Sequence, residues 1–181
     1  MLATAVALGT DAFAVATAIS AGLPQFTTRH TFRLAWHFGL FQSLMTFLGW
    51  AGGEGLTILL SGVNHWIAFA ILVALGFKMI FESSHSQDIN REFDPTRGWS
   101  LVGLAVATSL DALAIGVSLR LIGSPIAIPA LVIGLVALVM TFSGTRIGMR
   151  AGPHLGQWAE RLGGVVLMLI GVKVLIDYLR S

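Results

Sequence analysis

Cysteine is absent from the 181-residue sequence. That excludes disulfides, thiolate metal ligands and thiol redox chemistry. Charge is scarce too: 11% of residues are Asp, Glu, Lys or Arg, where a soluble domain carries roughly a quarter. So large a deficit implies apolar surface that faces something other than water. No basic segment precedes the first apolar run, which is long and interrupted by Asp11, so the pattern of a cleaved signal peptide is missing. Nothing resembles a nucleotide-binding loop, and neither a resident cofactor nor a nucleic-acid partner is expected.

What the chain has instead is hydrocarbon. Apolar residues make up 55% and the mean hydropathy is +0.82. Runs at about 2–23, 35–53, 64–82, 100–121, 125–145 and 162–179 each approach the 20 or so helical residues that cross a bilayer. The expected fold is an all-α polytopic membrane protein with six transmembrane helices. If the spans alternate, Arg29, Arg33, Arg91, Arg97, Arg146, Arg150 and Arg161 share one side, against Arg120 and Arg180 opposite. The positive-inside rule makes the arginine-rich side cytoplasmic and leaves both termini outside. Trp36, Trp50, Trp66, Trp99 and Trp158 all fall near span ends, where an interfacial aromatic belt belongs. Residues 83–99 mix both signs and contain Pro95, which reads as a cytoplasmic linker with no site of its own.

The sequence is also written twice. "FGLFQSLMTFLGWAGG" at 38–53 aligns with "IGLVALVMTFSGTRIG" at 133–148 at an offset of 95, and "GFKMIFE" at 76–82 meets "GVKVLID" at 171–177 at the same offset. The first spans match at an offset of 100: "ALGTDAFAVATA" at 7–18 corresponds to "VATSLDALAIGVS" at 106–118. Residues 1–82 and 100–181 are therefore expected to be two three-helix repeats. Three is odd, so the second copy enters from the opposite side, giving inverted repeats of the kind common in secondary transporters.

Each repeat carries one carboxylate in its first span. Asp11 lies roughly 14 Å into span 1 and Asp111 roughly 16 Å into span 4, at 1.5 Å per residue. Both depths are near the middle of a hydrocarbon core about 30 Å thick. A charge there is costly unless it faces the protein interior or a water-filled cavity. Ala3, Ala7, Ala14 and Ala18 flank Asp11, and Gly103, Ala107, Ala114 and Ser118 flank Asp111 at the same spacings. Small residues let helices approach closely, so spans 1 and 4 are expected to face each other with their acids converging. Such a pair repels itself and is expected to bind a proton when empty, or a divalent cation.

Oxygen ligands suit Mg²⁺, Ca²⁺ and Mn²⁺. Thr10, Thr17, Thr108 and Ser109 offer hydroxyls, and Gln42 in span 2 an amide oxygen. Met45 and Met140 are repeat-equivalent; a thioether would favour Mn²⁺ over the harder ions, although methionine is also an ordinary core filler. His37 reads either as a proton acceptor or as an interfacial histidine. Lys78 with Glu82, and Lys173 with Asp177, read as local i,i+4 ion pairs with snorkelling stems. Gly49 and Gly53, echoed at Gly144 and Gly148, read as helix-packing positions.

"GTDAFAV", "NHWIAFAILVALGFKMIFE" and "ATSLDALAIGVSL" resemble the signature segments of the MntP family of bacterial manganese efflux pumps, and the resemblance runs through all six spans. It implies a six-span inner-membrane exporter of Mn²⁺, similar in fold to the LysE-type exporter superfamily, with the motif aspartates, here Asp11 and Asp111, essential. Members commonly have Pro where Thr46 stands here, and some have Glu in place of Gln42, so this site carries one charge fewer than theirs. Other readings stay open. The cargo could be another divalent cation or an amino acid, although no Lys or Arg sits at the expected midplane to hold a carboxylate. A non-transporting scaffold is a further reading. So is an intramembrane aspartyl protease, whose GxGD motif is absent apart from a likeness in "GTD" at 9–11.

Overall fold

The computed structural model describes residues 2–23, 25–60, 94–155 and 158–180, and between them residues 66, 69–70, 72–74, 76–77 and 80. Helix is the only regular structure among the described residues. α1 spans Leu2–Gly22, α2 Thr28–Leu60, α3 Gly98–Ala107, α4 Leu110–Leu121, α5 Ala127–Leu155 and α6 Trp158–Arg180. The described residues from 66 to 80 are helical as well. Lys78 and Glu82, and the side chain of Asp177, lie outside the described residues.

α1 and the stretch Ala127–Ala151 of α5 are long and apolar enough to cross a membrane, and α3 with α4 forms a third such span bent by 43°. In lipid, polar groups must be satisfied within the protein. The hydroxyls obey this by bonding one turn back along their own helices: Thr17 Oγ1 to the Phe13 carbonyl at 2.8 Å, Thr46 Oγ1 to that of Gln42 at 2.7 Å, and Thr141 Oγ1 to that of Ala137 at 2.7 Å. Leu40, Leu44 and Phe47 on α2 and Leu131, Leu135 and Val139 on α5 stay exposed, which suits a surface that meets acyl chains.

Two helices depart from the sequence expectation. The run at 100–121 is interrupted at Thr108–Ser109. There Thr108 Oγ1 donates to the Leu104 carbonyl at 2.9 Å and Ser109 Oγ to that of Ala105 at 2.7 Å, while the Ser109 N–H turns to the nearer Val106 carbonyl at 3.1 Å. Consecutive hydroxyls folding back on the backbone compete with the helical ladder and bend it. α2 runs beyond the expected 35–53 at both ends and kinks at Gly53, whose φ of 55° and ψ of −147° are readily adopted only by glycine. Gly53 is thus a kink and not the packing position expected; a Cβ there would meet open space.

Close approach between helices is set by glycine. α1 lies along α5 and α6, and α2 lies along α4, α5 and α3. Gly144 of α5 abuts the Phe13 carbonyl of α1, and Gly49 of α2 abuts the Leu113 carbonyl of α4. Positions 13 and 113, and 49 and 144, are the equivalents read from the sequence. Gly39 and Gly134 each meet the other's carbonyl, while Gly76 meets that of Gly164 and Gly171 that of Phe69. In each case the contact in one half recurs at the equivalent places in the other. The expected face-to-face packing of spans 1 and 4 is not what forms. α1 has no extended interface with α3 or α4, and Ala3, Ala7, Ala114 and Ser118 are exposed. Alanine faces lose to glycine, because Gly144 and Gly148 admit the α1 backbone more closely than any Cβ would.

Gly116 meets the Thr46 carbonyl and the Trp50 N–H so closely that no Cβ fits, whereas Gly55 faces open space. Gly116→Ala is expected to destabilise the bundle by about 1–3 kcal/mol through overpacking. Gly55→Ala is expected to be neutral or stabilising by up to about 1 kcal/mol from helix propensity. Thermal unfolding in detergent checks both signs.

Candidate functional site

Asp111 stands in the first turn of α4, immediately beyond the break. Its Oδ1 accepts the Ala112 N–H at 2.8 Å, and a carboxylate at a helix N-terminus is favoured by the exposed backbone dipoles. Asp11 sits at the equivalent place in α1, which is unbroken. Both acids are half-buried. Asp11 acts on Asp111 as a like charge, so the structure brings the two carboxylates within electrostatic reach, although α1 and α4 share no extended interface among the described residues.

Apolar clusters close the pair off at both levels. Ala5 and Leu8 of α1 join Ile133, with Ile115 and Val136 against them. Ala12, Val15 and Ile19 join Leu101, Leu104 and Ala105, with Ala107 against them. Asp11 falls in the chain between Leu8 of one cluster and Ala12 of the other, and Asp111 between Ala107 and Ile115, so apolar packing flanks the acids. In such surroundings electrostatic interactions are much stronger than in water.

Gln42 lies on α2. It is fully buried, and its Nε2 donates to the Thr108 carbonyl at the helix break at 2.9 Å. Its Oε1 is buried and has no hydrogen-bond partner, an arrangement that costs roughly 1–3 kcal/mol unless something else satisfies the oxygen. Thr108 is buried beside it. Met140 lies against Gly9, two residues before Asp11. Met45 is half-buried one turn beyond Gln42 on α2. His37 is placed elsewhere: its Nδ1 pairs with the Arg33 carbonyl at 2.8 Å, and it lines a cavity with Arg33 and Arg97. Thr10 is exposed, its hydroxyl bonded to the Val6 carbonyl at 3.0 Å.

Among the described residues, no cluster of three or more His, Asp or Glu side chains exists. A cation held here would therefore complete its shell with neutral oxygens, which hard and borderline divalent ions accept. The helix break was missed in the sequence, although adjacent Thr and Ser before the motif acid were its visible signal. The Leu8–Ile115–Ile133 seal was missed as well; scattered apolar residues of three helices leave no local mark.

A family model described as "Putative manganese efflux pump" matches residues 25–175. The chain belongs to that family. The "Putative manganese efflux pump MntP" of Syntrophotalea carbinolica is 47% identical over 175 residues, covering 96% of this chain and 93% of its own length. The protein of the same description from Oleidesulfovibrio alaskensis is 48% identical over 178 residues, covering 97% and 94%. That from Nitratidesulfovibrio vulgaris is 46% identical over 180 residues, covering 98% and 90%. No solved structure matches the chain.

Asp111→Asn removes one of two mutually repelling charges and keeps the shape of the group. In chelator at alkaline pH, where the empty pair has lost its protons, the variant is expected to be more stable than wild type by about 1 kcal/mol or more. Thermal unfolding of the metal-free proteins decides the sign, and a lower midpoint for the variant would contradict the electrostatics described.

Proposed function

We propose that this protein is a secondary transporter that exports Mn²⁺ across the bacterial inner membrane, the ion being shared by Asp11 and Asp111 during transit. What supports the reading is that two repeat-equivalent acids act on each other as like charges, and that Gln42, bonded to the Thr108 carbonyl three residues before Asp111, carries a buried amide oxygen with no hydrogen-bond partner. A dication would relieve the repulsion of the carboxylates and satisfy Gln42 Oε1 in one step. The printed description of the family and of its relatives supports manganese as the cargo. Thr108 adds a hydroxyl or its carbonyl, and Met140 and Met45 are the nearest thioethers, softer donors that would favour Mn²⁺ over Ca²⁺ or Mg²⁺.

In this reading the two halves are inverted repeats, and the recurrence of glycine contacts at equivalent positions supports that relation. Alternating access opens one apolar seal while the other stays shut. Protons return on Asp11 and Asp111 as the metal leaves. His37, little more than one turn before Gln42 on α2, is the remaining candidate for passing them on. The arginine-rich loops face the cytoplasm and both termini face outward.

Proteoliposomes loaded with a manganese-sensitive fluorophore test the proposal. Asp11→Asn and Asp111→Asn are each expected to slow flux at least a hundredfold, the loss of roughly 3 kcal/mol when one buried charged partner is removed. Wild-type flux in either variant would refute the shared site. Gln42→Leu is expected to leave metal-free stability within about 1 kcal/mol, because the lost hydrogen bond and the removed orphan oxygen offset each other. The same change should weaken Mn²⁺ binding about tenfold, the worth of one neutral ligand taken as a typical hydrogen bond to a charge. Competition by Mg²⁺, Ca²⁺, Fe²⁺ and basic amino acids distinguishes the cargo.

A further inference from the structure

We propose that the groove between the N-terminal parts of α2 and α3 binds the phosphate head group of an anionic membrane lipid. A cavity of about 520 Å³ opens there, lined by Arg33 and His37 of α2, by Arg97 in the approach to α3, and by Trp99 in the first turn of α3. It faces the arginine-rich side, where anionic lipid head groups concentrate cations at the membrane surface.

Charge complementarity favours an anion. The Arg33 and Arg97 guanidiniums lie 3.9 and 3.7 Å from a single carboxylate oxygen, Asp94 Oδ2, which His30 Nε2 also approaches at 3.4 Å. The other oxygen, Oδ1, is already engaged by the Thr96 N–H at 2.9 Å and by the Thr96 hydroxyl. Two guanidiniums therefore share one acid, and among the residues lining the cavity no further acid appears. A guanidinium fork left partly unpaired at a membrane surface matches phosphate oxygens in geometry as well as in charge.

The aromatic residues select a lipid over free phosphate. Trp99 is 89% exposed, and on the neighbouring face of α2 the exposed rings of Phe32 and Trp36 stack with centroids 6.3 Å apart. Indoles at span ends sit at head-group level with their apolar bodies against acyl chains. A soluble phosphate would use the arginines and leave these rings in water. A phospholipid uses both.

Native mass spectrometry of the full chain in detergent tests this with three probes: phosphatidylglycerol, phosphatidylethanolamine and inorganic phosphate. Phosphatidylglycerol is expected to stay bound, phosphatidylethanolamine to be lost, and millimolar phosphate to displace neither. Arg33→Gln with Arg97→Gln is expected to weaken phosphatidylglycerol retention about thirtyfold, near fivefold per arginine. Should that double variant fail to fold, Trp99→Ala serves alone. Its side chain packs on little of the protein, and its loss is expected to reduce lipid retention severalfold with the fold intact. Arg120→Gln, at the far end of the bent span, is expected to retain lipid like wild type. Equal retention of the zwitterionic lipid, displacement by phosphate, or full retention by Trp99→Ala would each overturn the proposal. None of these readouts depends on manganese flux, so a failure here is distinct from a failure of the transport site.

Discussion

Two like charges held at one depth in an apolar bundle are the constraint around which this protein is organised. Asp11 acts on Asp111 as a like charge, and apolar clusters that include Leu8 and Ala12 flank Asp11 along α1. Such an arrangement is stable only while something positive, or a proton, occupies it. The Gln42 amide oxygen, buried without a hydrogen-bond partner, is a second polar atom whose burial is costly until something satisfies it.

Glycine determines how the acids come to meet. Backbones touch where Gly144 faces Phe13 and where Gly49 faces Leu113, and the central pair Gly39 and Gly134 face each other. These contacts draw α1 onto α5 and α4 onto α2, so the two motif helices are positioned by their partners and not by one another. Against this near-symmetry stands one asymmetry. The fourth span breaks before its acid and the first does not, because Thr108 and Ser109 fold their hydroxyls onto the backbone where Leu8 and Gly9 have no hydroxyl to offer. The break frees the Thr108 carbonyl, and Gln42 fills that vacancy from α2. A second polar cluster, around Asp94, ties the start of α2 to the approach of α3 at the membrane surface. Thr96 and Arg97, at the end of the stretch 83–99 read as a linker, line a cavity there with Arg33 and His37.

Much of this was legible in the residues taken in order. Apolar run length identified the spans of α1 and α5, because the bilayer imposes a length on any helix that crosses it. The offsets of 95 and 100 named the equivalent positions at which the same glycine contact recurs. Asp11, Asp111 and Gln42 could be singled out because a polar group in hydrocarbon needs a reason. Other features were not legible. Gly53 and Gly148 occupy equivalent positions in the sequence, yet one kinks its helix and the other packs against Thr17 and Ser20, a difference that depends on what lies across from each. The small residues around Asp11 suggested a helix contact that the glycines of α5 pre-empted. His37 reads in the sequence either as a proton acceptor or as an interfacial histidine, and its place in a cavity with Arg33 and Arg97 is set by residues sixty positions apart.

The sequence by itself determined the helical class, the recurrence of like segments at fixed offsets, and which acids lie deep in the apolar runs, since hydropathy and periodicity are properties of residues in order. Only the tertiary structure decided which helices pair, where the run at 100–121 breaks, and that Gln42, bonded to the carbonyl at that break, leaves its buried amide oxygen unclaimed. Those outcomes depend on competition among surfaces far apart in the chain, where the closest backbone approach wins and every displaced hydrogen bond must find another partner.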